Sequence, residues 1–306
     1  MNDKVFVPPI KIQGIKTKLV PLIRQNVIRS AESVWIEPFM GSGVVGFNIA
    51  PKYAVFADTN PHIINFYNQI KDGIITPYTV RAFLQHEGEL LARDGGKHYY
   101  LVRDRFNSVH DPLDFLFLNR SCFNGMIRFN KDYAFNVPYG QKPQRFAKAY
   151  ITKIANQVAH VSELLQSRSW KFLCQSFDTT IAMAGQNDFI YCDPPYIGRH
   201  VDYYDSWDEK SELSLHSVLT ENGAKFMLST WNHNAFRTNE YIQTVWSDCH
   251  KITQEHFYYV GAKEANRKPV VEALLTNYAT TNVQGRSIIR DSQNLSHEAV
   301  SPFSNF

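Results

Sequence analysis

Two consecutive prolines dictate where one strand of this chain has to end. The run Phe189-Ile190-Tyr191-Cys192 is apolar and short, as a buried strand is, and Asp193-Pro194-Pro195-Tyr196 follows it directly. Neither proline can donate to a ladder, so the chain leaves the sheet at residue 193 with a carboxylate at the exit. The bland reading is an ordinary strand-to-loop turn. With proline at about 5% of residues, an Asp/Asn-Pro-Pro-Tyr/Phe pattern falls by chance into roughly one chain in a hundred of this length. Chemistry has a use for such a turn. The exocyclic amine of a nucleobase such as adenine is a poor nucleophile because its lone pair is delocalised into the ring, and acceptors on its N–H bonds return density to nitrogen. The Asp193 carboxylate and the Pro194 carbonyl are two acceptors on stiff backbone, and Tyr196 offers a face for stacking.

A second constraint lies upstream. Val34 to Glu37 reads as a strand, Pro38-Phe39-Met40-Gly41-Ser42-Gly43 as a turn, and Val44 to Ala50 as a helix, an order that lets backbone amides approach a cofactor. The next strand, Tyr53 to Ala57, ends on Asp58, fifteen residues after Gly43. An acid at that tip can hold a ribose; the alternative is a helix cap, for which Thr59 and Asn60 are equally good candidates. The dinucleotide fingerprint is incomplete, which favours a mononucleoside cofactor.

The chain of 306 residues, 44% hydrophobic and 14% aromatic, has material for one large domain or two modest ones. It has no run of eighteen apolar residues, and Met1-Asn2-Asp3-Lys4 opens no apolar signal region, which points away from membranes and secretion and toward the cytoplasm. Cys122, Cys174, Cys192 and Cys249 lack C-x-x-C spacing, so they read as reduced thiols rather than a zinc site or a disulfide framework. Net charge is only +3, yet Arg120, Arg128, Lys131, Lys142, Arg145, Lys148 and Lys153 face a single acid, Asp132, between residues 120 and 153. Phe123, Phe129, Tyr133, Phe135, Tyr139, Phe146 and Tyr150 interleave with them. Such a segment suits phosphate contact with side-chain insertion or stacking, or else is a solvated basic face over an ordinary core. Apolar spacing predicts helices over Lys16 to Ile28, Ile63 to Ile70, Tyr78 to Leu91 and Ala147 to Leu165, with a loop at Gly95-Gly96. Strands are predicted over Lys225 to Trp231, Glu255 to Val260 and Pro269 to Tyr278, with a basic loop at Gly261 to Lys268 and a polar tail from Thr281.

Taken in order, these stretches resemble the Dam-like DNA adenine-N6 methyltransferases, which use S-adenosylmethionine. The resemblance runs to about Tyr278. It is carried by KIQGIK from Lys11, EPFMGSG from Glu37, ADTN from Ala57, FLNRSCFNGMIRFN from Phe117, FNVPYG from Phe135, YCDPPY from Tyr191 and NRKPVVEALLTNY from Asn266. VFVPPIKIQGIKTKLVP and YCDPPYIGRHVDYY make it most similar to the EcoRV-type modification methyltransferases.

The resemblance implies an α/β fold: a seven-stranded, Rossmann-like S-adenosylmethionine-dependent methyltransferase sheet with an inserted, mostly helical target-recognition domain. Residues 1–62 would be the first part of the catalytic domain, 63–153 the insert, 154–280 the second catalytic part and 281–306 a tail. Ile12, Gly14 and Lys16 would lie at the methionine end of the cofactor. Glu37, Phe39, Gly41 and Gly43 would form its turn, Asp58 would hold its ribose and Phe177 would pack by its adenine. Asp193, Pro194, Pro195 and Tyr196 would bind a flipped target adenine, with Asp193 also beside the cofactor. Phe123 and Asn124 would enter the vacated base stack, Lys11, Met126, Arg128 and Pro138 would read bases, and Asn119, Arg120, Asn136, Gln141 and Lys142 would complete the DNA face. The implied partner is double-stranded DNA, the product S-adenosylhomocysteine, with no metal and no membrane. The protein would be a monomer in the cytoplasm of a bacterium or phage host, acting as one or more copies on DNA.

Two departures stand out, the first replacing an aromatic cofactor contact and the second bearing on the target sequence. The family's usual Trp-x-Gly-Gly-Lys is Ile12-Gln13-Gly14-Ile15-Lys16 here, and its usual Arg-Tyr pair is Gln141-Lys142. The EcoRV-type resemblance implies modification of the first adenine of GATATC within a restriction-modification or other bacterial or phage modification system. The alternatives are a Dam-type enzyme acting at GATC, methylation of cytosine-N4 or RNA adenine, and a nucleic-acid-binding protein on an inactive scaffold. The intact Asp193-Pro194-Pro195-Tyr196 and Asp58 count against the last.

Overall fold

The computed structural model describes residues 4–197, 207–234, 236–257 and 269–280. The basic loop at 261–268, the end of the strand expected to reach Val260, the GRHVDYY stretch from 198 and the tail from 281 lie outside the described residues.

Seven strands form one sheet: β1 (Val34–Glu37), β2 (Tyr53–Asp58), β3 (Ser169–Cys174), β4 (Phe189–Cys192), β5 (Lys225–Asn234), β6 (His250–Phe257) and β7 (Pro269–Thr276). Their spatial order is β3-β2-β1-β4-β5-β7-β6, parallel from β3 to β5, with β7 running antiparallel between β5 and β6. This is the expected α/β methyltransferase sheet. The central strands are covered on both faces, which is why they read as continuous apolar runs. In β4, Phe189 and Tyr191 join the apolar cluster of Trp35, Phe47 and Phe56, while Ile190 and Cys192 face Leu215, Leu219 and Phe226 on the other side. The edge strand β3 escaped the sequence reading. It alternates, with Trp170 and Phe172 buried and Ser169 and Lys171 exposed, because only one face is covered.

The helices before the insert are α1 (Val20–Asn26), α2 (Val44–Ile49) and α3 (Pro61–Lys71). Then come α4 (Pro77–Asp94), α5 (Gly96–Val109), α6 (Pro112–Ser121), a 3-10 turn at Phe123–Gly125 and α7 (Lys148–Gln166). The remaining ones are α8 (Phe177–Ile181), α9 (Glu209–Asn222) and α10 (Tyr241–Thr244). The predicted loop at Gly95-Gly96 is a one-residue break, with Gly95 at φ +56° between α4 and α5. Proline opens α3, α4 and α6, where its missing N–H costs nothing, and Asn60, Thr76 and Asp111 cap them. The insert has no core of its own: one apolar cluster runs from Trp35 and Phe56 through Phe66 to Leu84, Phe117 and Ile154. The expected boundary at 62/63 therefore falls inside α3, which packs on β2 and β3, and the boundary at 153/154 falls inside α7, which packs on α3 and α4.

Candidate active site

The strand order reverses between β1 and β4, whose pairing is Trp35 with Phe189 and Ile36 with Ile190. Loops leaving the carboxyl ends of two such neighbours diverge and open a crevice. Here one loop is Glu37 to Gly43 and the other is Asp193 to Tyr196, so the two stretches singled out by sequence lie side by side.

Asp58 ties the first loop to the end of β2. The Gly41 amide donates to its Oδ2 at 2.9 Å and the Asn60 amide to its Oδ1 at 2.9 Å. The cap of α3 is Asn60, whose Oδ1 accepts from the amides of His62 and Ile63. Burial pushes the Asp58 carboxyl up, against the pull of its two amide donors. Gly41 (φ +48°) and Gly43 (φ +76°) make the turn, and a Cβ on Gly43 would come within 2.6 Å of the Phe47 ring. Ile12 roofs Gly41, at 3.1 Å from where a Cβ would stand. Phe39 stacks on Phe177 with centroids 5.5 Å apart, and Trp207, absent from the sequence reading, stands edge-on to both. Glu37 ends β1 as a buried side chain, accepting from Trp35 Nε1 at 2.7 Å, and burial pushes its carboxyl up to about 8.

Asp193 carries its contacts on one oxygen. Lys16 Nζ lies 3.0 Å from Oδ1 and Ser229 Oγ donates to the same atom at 2.9 Å, whereas Oδ2 has no partner among the described residues. Burial raises the Asp193 carboxyl and the Lys16 charge opposes the rise most strongly. Lys16 is 4% exposed, donates to the Gly14 carbonyl at 2.6 Å and sits 4.9 Å from the centroid of the Tyr196 ring. It thus bridges Asp193 and Tyr196 of the second turn. Ser229, on β5, also escaped the sequence reading; its one signal is a hydroxyl within the apolar run Phe226 to Trp231.

The basic, aromatic segment folds back on itself through bridges between Cys122 and Tyr139 and between Phe129 and Phe135. At its tip Phe123 is 51% exposed and Asn124 adopts φ +54°. Gly125 crosses Lys11 so closely that a Cβ would reach its Cδ at 2.8 Å. Arg128 and Asn136 are joined at 2.8 Å, Met126 is half-buried, and Pro138, Gln141 and Lys142 are exposed. Asn119 and Arg120 correct the expectation of DNA contact: both are buried. Asn119 exchanges two hydrogen bonds with the Lys11 backbone, at 2.8 and 2.9 Å. The Arg120 guanidinium donates to the Pro9 carbonyl, Gln157 Oε1 and Tyr150 Oη. They hold the segment that carries Lys11 and Lys16. Of the seven aromatics Phe123 and Tyr133 are exposed, while Phe135, Tyr139 and Phe146 are core; Lys131, Lys142, Lys148 and Lys153 face solvent. The segment is thus partly a solvated basic face and partly core.

Among the described residues no group of three His, Cys, Asp or Glu could hold a metal, and no helix is long and apolar enough to cross a membrane.

The family model of the D12 class N6 adenine-specific DNA methyltransferases matches residues 13–266. A DNA adenine methylase of Serratia marcescens is 31% identical over 250 residues, covering 76% of this chain and 86% of the relative. The Type II methyltransferase M1.LlaDCHI of Lactococcus lactis subsp. cremoris is 28% identical over 295 residues, covering 90% and 98%. The rRNA methyltransferase aviRa from Streptomyces viridochromogenes superposes with a TM-score of 0.36 at 9% identity over 86% of this chain and 83% of that one, too loosely to carry weight.

Proposed function

As a member of the D12 class N6 adenine-specific DNA methyltransferases, the family to which this chain belongs, the protein methylates adenine in DNA, and we propose that it moves the methyl group from S-adenosylmethionine to an adenine flipped out of the duplex. The observation that carries this reading is the open Oδ2 of Asp193, set beside Tyr196 at the strand-order reversal.

The residues fit the cofactor. Asp58 and Asp193 line the two turns against one buried cation, Lys16, with the buried Glu37 at the end of β1, and Phe39 stacks on Phe177. Such a set suits a ligand with sulfonium and ammonium charges, ribose hydroxyls and a flat adenine. When bound, S-adenosylmethionine supplies an electrophilic methyl on sulfur. Asp58 holds the ribose, Gly41 and Gly43 let the turn approach, and Ile12 and Gly14 border the methionine end. Asp193 Oδ2 accepts one hydrogen of the target N6, the Pro194 carbonyl accepts the other, and Tyr196 takes the base on its face, with Pro195 stiffening the turn. Nitrogen gains positive charge as the N–C bond forms and the C–S bond breaks, and the carboxylate stabilises that charge. The proton becomes acidic only then and leaves to Asp193 or solvent, so no strong base and no covalent enzyme intermediate are required.

Phe123 and Asn124 fill the gap in the stack, and Lys11, Met126, Arg128 and Pro138 read the flanking bases, with Asn136, Gln141 and Lys142 at the rim. Residues 63–153 act as the target-recognition unit of a monomer that binds DNA as one or more copies. The target is GATATC, modified at its first adenine, within a restriction-modification or related system. Nucleoside mass analysis and sequencing of plasmid DNA from a host lacking its own adenine methylase test this. N6-methyladenine confined to GATATC is the expected result. Modification at every GATC would overturn the target, and unchanged transfer by Asp193→Asn would overturn the role of the carboxylate.

A further inference from the structure

We propose that Ser229, backed by Tyr191, is a positioning residue for methyl transfer: together with Lys16 it engages Oδ1 of Asp193 and so reserves Oδ2 for the target amine. The inference rests on the reading of Asp193 as the acceptor of that amine.

A carboxylate has two equivalent oxygens and a broad torsion about its last bond, so an aspartate at the mouth of a crevice has no intrinsic reason to present one oxygen. Here two donors from distant parts of the chain converge on Oδ1. Lys16 comes from the N-terminal segment at 3.0 Å and Ser229 from β5 at 2.9 Å. The serine hydroxyl has one proton. Its candidate acceptors are Asp193 Oδ1 at 2.9 Å and the Cys192 carbonyl at 3.4 Å, and the charged, nearer oxygen wins. Ser229 Oγ is then an acceptor for Tyr191 Oη, 3.0 Å away. The phenol is 0% exposed, as is Ser229, so the phenol proton has this hydroxyl as its partner rather than water. Direction follows: Tyr191 donates to Ser229, and Ser229 donates to Asp193. A proton on Oδ1 would face both the lysine and the serine proton, so the relay favours an ionised carboxylate with its free oxygen turned outward. Tyr191 also stacks on Trp35, centroids 5.7 Å apart, which holds the relay's far end rigidly in the sheet layer. Two hydroxyls facing each other in the apolar layer between β4 and β5 cost desolvation that a pair of apolar side chains would avoid, and their use is this orientation.

The test is the pH dependence of single-turnover methylation at saturating S-adenosylmethionine and duplex DNA. Loss of a hydrogen bond to a charged group should slow Ser229→Ala about tenfold and move the acidic limb up by about one pH unit, since the carboxylate loses a donor that favours its ionised form. Affinities for cofactor and DNA should stay at wild-type values. Ser229→Thr, which returns the hydroxyl, should restore the limb. Tyr191→Phe should give a smaller shift of the same sign, and it carries the test by itself if Ser229→Ala fails to fold. Profiles of Ser229→Ala and Tyr191→Phe that superimpose on wild type, or a slower rate with an unmoved limb, would overturn the proposal. Asp193→Asn separates the two levels. If it retains the wild-type rate, the acceptor role itself fails; if it is inactive while the relay variants match wild type, only the positioning role fails.

Discussion

Glu37→Gln should remove a pH dependence of stability that the sheet imposes on the wild-type protein. Glu37 is 2% exposed at the end of β1, and burial raises its carboxyl from 4.5 to about 8. An unfolded chain ionises this group above about pH 4.5, whereas the folded chain keeps the proton to about 8. The folded state therefore binds the extra proton, and stability falls as pH climbs between those values and levels off above them. At about 1.4 kcal/mol for each tenfold change in proton affinity, the full loss is on the order of 5 kcal/mol. Glutamine does not titrate, and its carbonyl oxygen can still accept from Trp35 Nε1, which Glu37 takes at 2.7 Å. Urea unfolding of the cofactor-free protein at pH 5, 6, 7 and 8 measures the difference. The two proteins should be nearly equal at pH 5, and by pH 8 the variant should be the more stable by several kcal/mol. Parallel curves across the range would show that Glu37 is ionised in the fold and that its burial has been misjudged.

Asp58→Ala frees the Gly41 and Asn60 amides, so cofactor Kd should rise about tenfold or more while the single-turnover rate of the saturated complex changes little; a fall in kcat with unaltered cofactor affinity would return Asp58 to a purely structural role. Arg120→Ala should cost about 3 kcal/mol by leaving the Pro9 carbonyl and Gln157 without their donor, lowering Tm without changing which sites are methylated. Arg128→Ala should keep Tm and relax the sequence requirement at one base pair, and a loss of discrimination by Arg120→Ala instead would reverse the two assignments.

The features legible in the sequence are those whose physics is local. Prolines at 194 and 195 end a strand wherever they occur, Gly41 and Gly43 permit a left-handed turn whatever surrounds them, and strands covered on both faces are apolar runs. The switch-point loops, Asp58 and most helices could therefore be read directly. An edge strand such as β3 buries alternate residues, and so weak a pattern yields to its neighbours. Burial and partnership are decided at long range. Nothing near Asn119 and Arg120 in sequence distinguishes a DNA-facing pair from a buried one; what buries them is the N-terminal segment crossing α6 and binding there through Pro9 and Lys11. The site itself is the extreme case. Lys16, Asp193 and Ser229 are far apart in the chain and meet because β4 and β5 pair in parallel while the N-terminal segment is pinned across the insert. A sequence presents the carboxylate of Asp193 as two equivalent oxygens, and only the packing of three remote segments around it makes one of them different from the other.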